Sequence, residues 1–299
     1  MNKILKFCFT MALGGLVLSS CKKDSEQPDT FAADQQVAID QNQADNESED
    51  VSNLEDQVMD ANEAKINGRL ATDSVVVPFD SGNCAQVTII PKGNNPTGKI
   101  TIDFGTGCIC RDGRTRKGKI ISVFTDRVRK QGAVVQTSYE GYGVTRRGSS
   151  EFVMVDNSSS KTTTTNTAPD QLADNAVLGI TREVNMKMIS ADAAEFTYKG
   201  TKTMEWNLGM LGNRWDNIYT TKAGSSLSGT DRKGRNYTMK VDVDVVRKSA
   251  CALAAVYKPV SGQITISHDA KTKVLNFGDG SCDNTVDVTI SGKKTKTRW

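Results

Sequence analysis

From about residue 70 onward the chain alternates apolar and polar residues, and Gly, Asn and Asp interrupt the alternation at short intervals. Period-two alternation puts successive side chains on opposite faces of a strand, so it predicts strands with one buried and one wet face. The clearest runs from 237 to 246, where Tyr237, Met239, Val241, Val243 and Val245 alternate with Thr238, Lys240, Asp242 and Asp244. Ile100, Ile102 and Phe104 share one face of a second, 98–104. The same pattern predicts strands at 118–124, 151–155, 183–189, 195–206, 262–267, 273–277 and 285–290. Turn residues separate them at Arg111-Asp112-Gly113-Arg114, Arg146-Arg147-Gly148 and Asp231-Arg232-Lys233-Gly234. The Thr-rich run from Lys161 to Asp170 reads as an exposed loop. The fold class that follows is all-β: an antiparallel meander forming a sandwich or an open twisted sheet.

The first seventy residues have another texture. Residues 22–50 are rich in Asp, Glu, Gln, Asn and Ala, with few bulky apolar groups, and read as a linker that cannot offset the entropy of ordering. Ser52 and Glu55 form a capping-box pattern, and Val51, Leu54, Val58 and Ala61 recur at helical spacing. They predict a short amphipathic helix around 53–65, packed on the body or stiffening the tether. Ahead of all this, Lys3 and Lys6 precede an apolar run from Ile4 to Leu18 that ends in Leu18-Ser19-Ser20-Cys21. A basic start, a short apolar run and small residues before a cut site describe a secretory signal peptide. The run falls short of the ~20 residues a membrane-spanning helix needs.

The sequence Leu18-Ser19-Ser20-Cys21 resembles the lipobox of bacterial lipoproteins, in which the cysteine is lipidated and becomes the first residue of the mature chain. The resemblance makes Cys21 the lipidation site. It divides the chain into a lipoprotein signal peptide at 1–20, a lipidated acidic linker with a short helix at 21–69, and an all-β domain at 70–299.

Charge is divided the same way. From Lys22 to Lys65 there are 13 acidic and 3 basic residues; from Ile66 to Trp299 there are 22 acidic and 33 basic. A basic body attracts anionic polymers by its long-range field, and it attracts its own acidic tether.

Of the seven cysteines, Cys8 leaves with the signal peptide and Cys21 takes the lipid, so five remain for an oxidising compartment. Two stretches echo each other. Cys84 precedes a strand, Phe104-Gly105-Thr106-Gly107 and Cys108; Cys251 precedes strands, Phe277-Gly278-Asp279-Gly280 and Cys282. The spacing pairs Cys84 with Cys108 and Cys251 with Cys282, leaving Cys110 over, with Cys110 as the substitute partner for Cys84.

These features together look like those of Bacteroidetes-type outer-membrane lipoproteins. The resemblance rests on the lipobox, the acidic stretch, Ile102 to Cys108, Asp112 to Ile120 and Phe277 to Asn284. It implies a β-rich body held at the outer membrane, on the cell surface or the periplasmic face, and it brings no catalytic residues. Lys22 to Glu26 loosely resembles the charged signals that send such lipoproteins to the surface.

Chemistry is sparse. The single histidine, His268, excludes a His-rich zinc site and reads as an exposed hairpin residue; 224–229 fails the spacing of a serine-hydrolase elbow and reads as a turn. Asp242 and Asp244 share a solvated strand face rather than forming a catalytic pair. Asp279, Asp283 and Asn284 are turn-makers in preference to calcium ligands. No metal or cofactor is expected. Arg111, Arg114, Arg116 and Lys117, with Lys119 beyond, form one basic loop; Arg232, Lys233 and Arg235 form another, and together they offer a patch for anionic ligands. Trp206 and Trp215 read as core in preference to a sugar-stacking platform. The expectation is an envelope protein with a non-enzymatic binding or structural role, whose partners are an anionic polysaccharide or another envelope protein, with no specific nucleic-acid binding. The alternative is a glycan-acting hydrolase of the envelope.

Overall fold

The computed structural model describes residues 40–298 except 42, 53, 56–57, 60–74, 78–83, 93–94, 111, 211–212, 270 and 291. The segment read as a signal peptide, Cys21 and residues 22–39 lie outside the described residues. A helix, α1, is described at 40–41, 43–52, 54–55 and 58–59. Seventeen described strands follow in one antiparallel sheet. They begin with β1(Val75–Val77), β2(Gln86–Lys92), β3(Asn95–Asp103), β4(Cys108–Ile109), β5(Thr115–Phe124) and β6(Val134–Thr145). The middle holds β7(Phe152–Val155), β8(Lys161–Asn166), β9(Ala176–Ile189), β10(Glu195–Leu208), β11(Ile218–Thr221) and β12(Ser226–Thr230). The last are β13(Asn236–Lys248), β14(Ser261–His268), β15(Lys271–Asp279), β16(Thr285–Ile290) and β17(Lys293–Arg298).

The sheet is a meander. The long strands β5, β6, β9, β10 and β13 are its frame: β7 and β8 lie end to end between β6 and β9, and β11 and β12 lie end to end between β10 and β13. All fourteen residues of β9 pair with β10. Even-numbered residues from Ala176 to Met188 and from Phe196 to Leu208 supply the buried row of that hairpin, while Val177, Glu183, Asn185 and Lys199 face out. Much of the apolar surface meets α1, while Ala176, Leu178, Ile180, Met204, Trp206, Leu208 and Tyr219 form a separate cluster without a described helix residue. Ala44, Val51, Val58 and Met59 of the helix share one cluster with β2, β3, β5, β6, β9, β10 and β13–β16. The described strands form a single antiparallel sheet, the meander expected, with a helix against its inner face.

Two elements differ from their sequence reading. The chain is already helical at residue 40, well inside the stretch that reads as linker, because its acidic side chains have partners in the sheet. The threonine run at 161–166 is strand β8, its inner row being Thr162, Thr164 and Asn166. Threonine against threonine gives alternation no polarity contrast, though β-branched residues suit a strand. Strand β6 was also hidden. Its buried set shifts from Val135, Thr137 and Tyr139 to Tyr142 and Val144 across an irregularity opposite Lys117–Lys119, where Gly118 and Gly141 have φ of 72° and 59°. A bulge of this kind breaks the period of two.

Both predicted disulfides are present, Cys84–Cys108 and Cys251–Cys282, with Cα atoms 5.4 and 5.1 Å apart. Each closes a two-strand unit, β2–β3 or β14–β15. In both, a glycine pair in the left-handed region turns the chain back to the first cysteine: φ is 59° and 145° at Gly105 and Gly107, and 96° and 100° at Gly278 and Gly280. Cys110 is a buried free thiol.

Candidate functional site: a basic cradle and its acidic helix

The apolar rows of β9 and β10 are each broken once by a cation, Arg182 and Lys202, and the register sets these two directly opposite each other. Like charges directly opposite on a sheet repel. Both are 1 % exposed, so water does not screen them. Arg247 on β13 adds a third. The band lies between two apolar groups, with Leu178, Ile180, Met204 and Trp206 on one side and Val184, Met186, Phe196 and Tyr198 on the other.

Helix α1 neutralises this band. Glu49 bridges the opposed pair, with one carboxylate oxygen 3.0 Å from Arg182 and the other 2.6 Å from Lys202. Asp45, one turn earlier, lies 2.5 Å from Lys202 and 3.0 Å from Arg247, and accepts a hydrogen bond from the Tyr198 hydroxyl. A second row, Asp40, Gln43, Glu47 and Asp50, follows 3.6-residue spacing along another face of the helix. Asp40 meets Arg232 at 2.8 Å, Gln43 accepts from Arg146 and Arg232, and Glu47 accepts from Tyr142 at 2.6 Å and pairs with Arg114. Asp50 pairs with both Arg114 and Arg116. The helix is thus gripped from two walls, by strand faces on one side and by hairpin ends on the other.

Burial alone would raise the Asp45 and Glu49 pKa values. The Lys202 cation, with Arg247 at Asp45 and Arg182 at Glu49, outweighs it: Asp45 is held far below the carboxylate range and Glu49 falls to about 2. Glu55 is the opposite case. It is buried among the hydroxyls of Ser122 and Thr137, which donate to it, and burial raises its pKa despite them. A carboxyl raised on folding contributes stability below its ordinary value of 4.5 and loses it as pH rises through the folded value. Glu55→Gln keeps an acceptor for both hydroxyls and never ionises. Its urea midpoint should therefore gain on wild type between pH 5 and pH 8; a constant difference across that range would refute the neutral form.

The basic patch expected from sequence is not one exposed surface. Arg114, Arg116 and Arg232 turn toward the helix, and Arg114 and Arg116 also hold Asp112. Arg235 pairs with Asp231 four residues before it, and Lys117 packs over the Phe152 ring. Lys233 is exposed, and Arg111 lies outside the described residues. The two loops do converge, but on an acidic segment of their own chain. Arg182, Lys202 and Arg247 escaped notice in the sequence, although a lone cation in the apolar row of a strand was a signal that an anion must meet it.

Other candidates resolve plainly. His268 is 8 % exposed rather than solvent-facing, with Nδ1 2.9 Å from Asp269. Trp206 is core, edge-on to Tyr219 and beneath Arg182; Trp215 is half-buried in a short 3-10 turn, Arg214–Asp216. Residues 226–229 belong to β12 rather than to a turn. Asp242 accepts from Thr265 and Asp244 pairs with Lys222. Asp279 and Asp283 accept backbone N–H groups two residues on, as turn-makers do. On the convex face a groove of about 510 Å³ is lined by Lys199, Ser228, Thr230, Asn236 and Thr238 among others. Family models, characterised proteins and solved structures yield no match to this chain.

Proposed function

We propose that this protein is a lipid-anchored envelope protein, held at the outer membrane through Cys21, with a non-enzymatic binding or structural role. The observation that carries the reading is Leu18-Ser19-Ser20-Cys21 behind a basic start and a short apolar run. No helix among the described residues is long and apolar enough to cross a membrane. Two or more acyl chains bind a bilayer firmly, so a lipidated cysteine is a sufficient anchor.

The docked helix sharpens the picture. Only residues 22–39 separate the anchor from the body, since the chain is already in the sheet's concavity at Asp40. Fully extended, that stretch reaches ~65 Å at ~3.5 Å per residue. A β body on such a leash works close to the lipid surface. The surface it offers a partner is the convex one, because the basic concavity is filled. The groove beside Lys199, rich in hydroxyl and amide groups, suits an anionic polysaccharide, which such donors recognise.

Cys21→Ala tests the anchor. The variant is expected to lose incorporation of labelled fatty acid and to leave the membrane fraction. Unchanged labelling or unchanged sedimentation with membranes would defeat the proposal.

A further inference from the structure

We propose that Cys84, Cys108 and Cys110 form a thiol–disulfide exchange site, which moves the free thiol between buried position 110 and half-buried position 108. The three sulfurs lie within 4.8 Å of one another. Cys84 is bonded to Cys108, and the Cys110 sulfur stands 3.2 Å from the Cys84 sulfur. Cys108 and Cys110 flank Ile109, and both bring their sulfurs to Cys84.

The step is internal and needs no oxidant. Cys110 gives its proton to solvent base, and the thiolate attacks the Cys84 sulfur. The Cys84–Cys110 bond forms as the Cys84–Cys108 bond breaks, and the electron pair leaves on the Cys108 sulfur, which takes a proton. One disulfide and one thiol stand on each side. The two bridges span 24 and 26 residues, so loop closure hardly distinguishes them and local packing selects between them.

Arg116 supports the site. Burial raises the Cys110 pKa, and the neighbouring Arg116 guanidinium opposes that rise. Attack is therefore slow near neutrality and accelerates with pH. Exchange also changes what solvent meets. Cys110 is buried, whereas Cys108 lies in the two-residue strand β4 beside Ile109, which is 74 % exposed. The thiol that a solvent-borne reagent reaches is then Cys108.

Alkylation of the folded full-length protein tests this. Wild type is treated with iodoacetamide at pH 7 and pH 9, quenched in acid, digested with pepsin at low pH and mapped without reduction. The expected result is label on Cys108, faster at pH 9, with a Cys84–Cys110 bridge in the same molecules and Cys251–Cys282 intact. Cys110→Ser should carry no label at 84 or 108, and Cys108→Ser should form Cys84–Cys110. Label confined to Cys110 or absent in wild type, or two alkylated thiols at 84 and 110 in Cys108→Ser, overturns the proposal.

Discussion

Deleting residues 22–59 is expected to abolish the cooperative unfolding transition of the β body. The segment reads as a tether, yet α1 completes the core of the sheet. Ala44, Val51, Val58 and Met59 are buried against the strand rows, and each large apolar side chain stripped of such cover forfeits about 1.5–3 kcal/mol. Removing the helix also opens the strand residues packed on it and leaves Arg182, Lys202 and Arg247 without anions in an apolar setting. Against a typical domain stability of ~5–15 kcal/mol, these losses together are decisive. Near-UV circular dichroism and urea titration of the deletion variant measure the effect. A cooperative transition at the wild-type midpoint would show that the helix is only a passenger. Adding a peptide of residues 38–60 should restore part of the near-UV signal, since the cradle is complementary to that sequence.

Lys202→Met should destabilise the protein by about 3–5 kcal/mol, the usual consequence of removing one partner from a buried ion pair. Lys202 is shared by Asp45 and Glu49, so its loss takes an ammonium from two buried carboxylates at once and leaves each with one arginine, Arg247 and Arg182. The pH dependence supplies a second readout. Asp45 and Glu49 have depressed pKa values, so their contribution is present above their ordinary values of 3.8 and 4.5 and is lost as pH falls toward about 2. Wild type should therefore weaken steeply between pH 4.5 and 2, and Lys202→Met should show a flatter acid limb. Adding Asp45→Asn to Lys202→Met should recover part of the loss, because the carboxylate that lost its ammonium partner is then neutral and the band regains its wild-type excess of one cation. Additive losses in the double variant would refute direct coupling between the two side chains.

Much of the strand content was legible because period-two alternation is a local property. The row Tyr237, Met239, Val241 and the row from Ile100 to Phe104 declare their buried faces without knowledge of any partner, whereas Val243, read as part of the first row, is 53 % exposed because the register shifts there. The disulfides were legible for a similar reason: in each unit a cysteine, a hairpin-sized stretch and a glycine-punctuated turn lie within about thirty residues. Strand β8 was hidden by its uniform threonines, and β6 by a bulge that reverses its inward parity. Of the cations read as one basic loop, Arg116, Lys117 and Lys119 stand in strand β5, and Arg114, Arg116 and Arg232 face the helix; strand alternation says which residues share a face and not what waits opposite.

Three features are contiguous in the sequence: an apolar run that ends at a lipobox-like cysteine, an acidic segment ahead of a basic β body, and two local disulfide units. They are set by composition and short-range spacing. Only the tertiary structure decided that the acidic segment is core. An amphipathic helix announces itself by an apolar stripe, and α1 has a thin one; its buried faces are carried by Asp45, Glu49, Glu47 and Asp40. Such residues become interior only where cations from distant strands meet them, at sequence separations of 133 to 202 residues for Arg182, Lys202 and Arg247. Ion pairing over that range depends on sheet register and curvature. No local pattern encodes it.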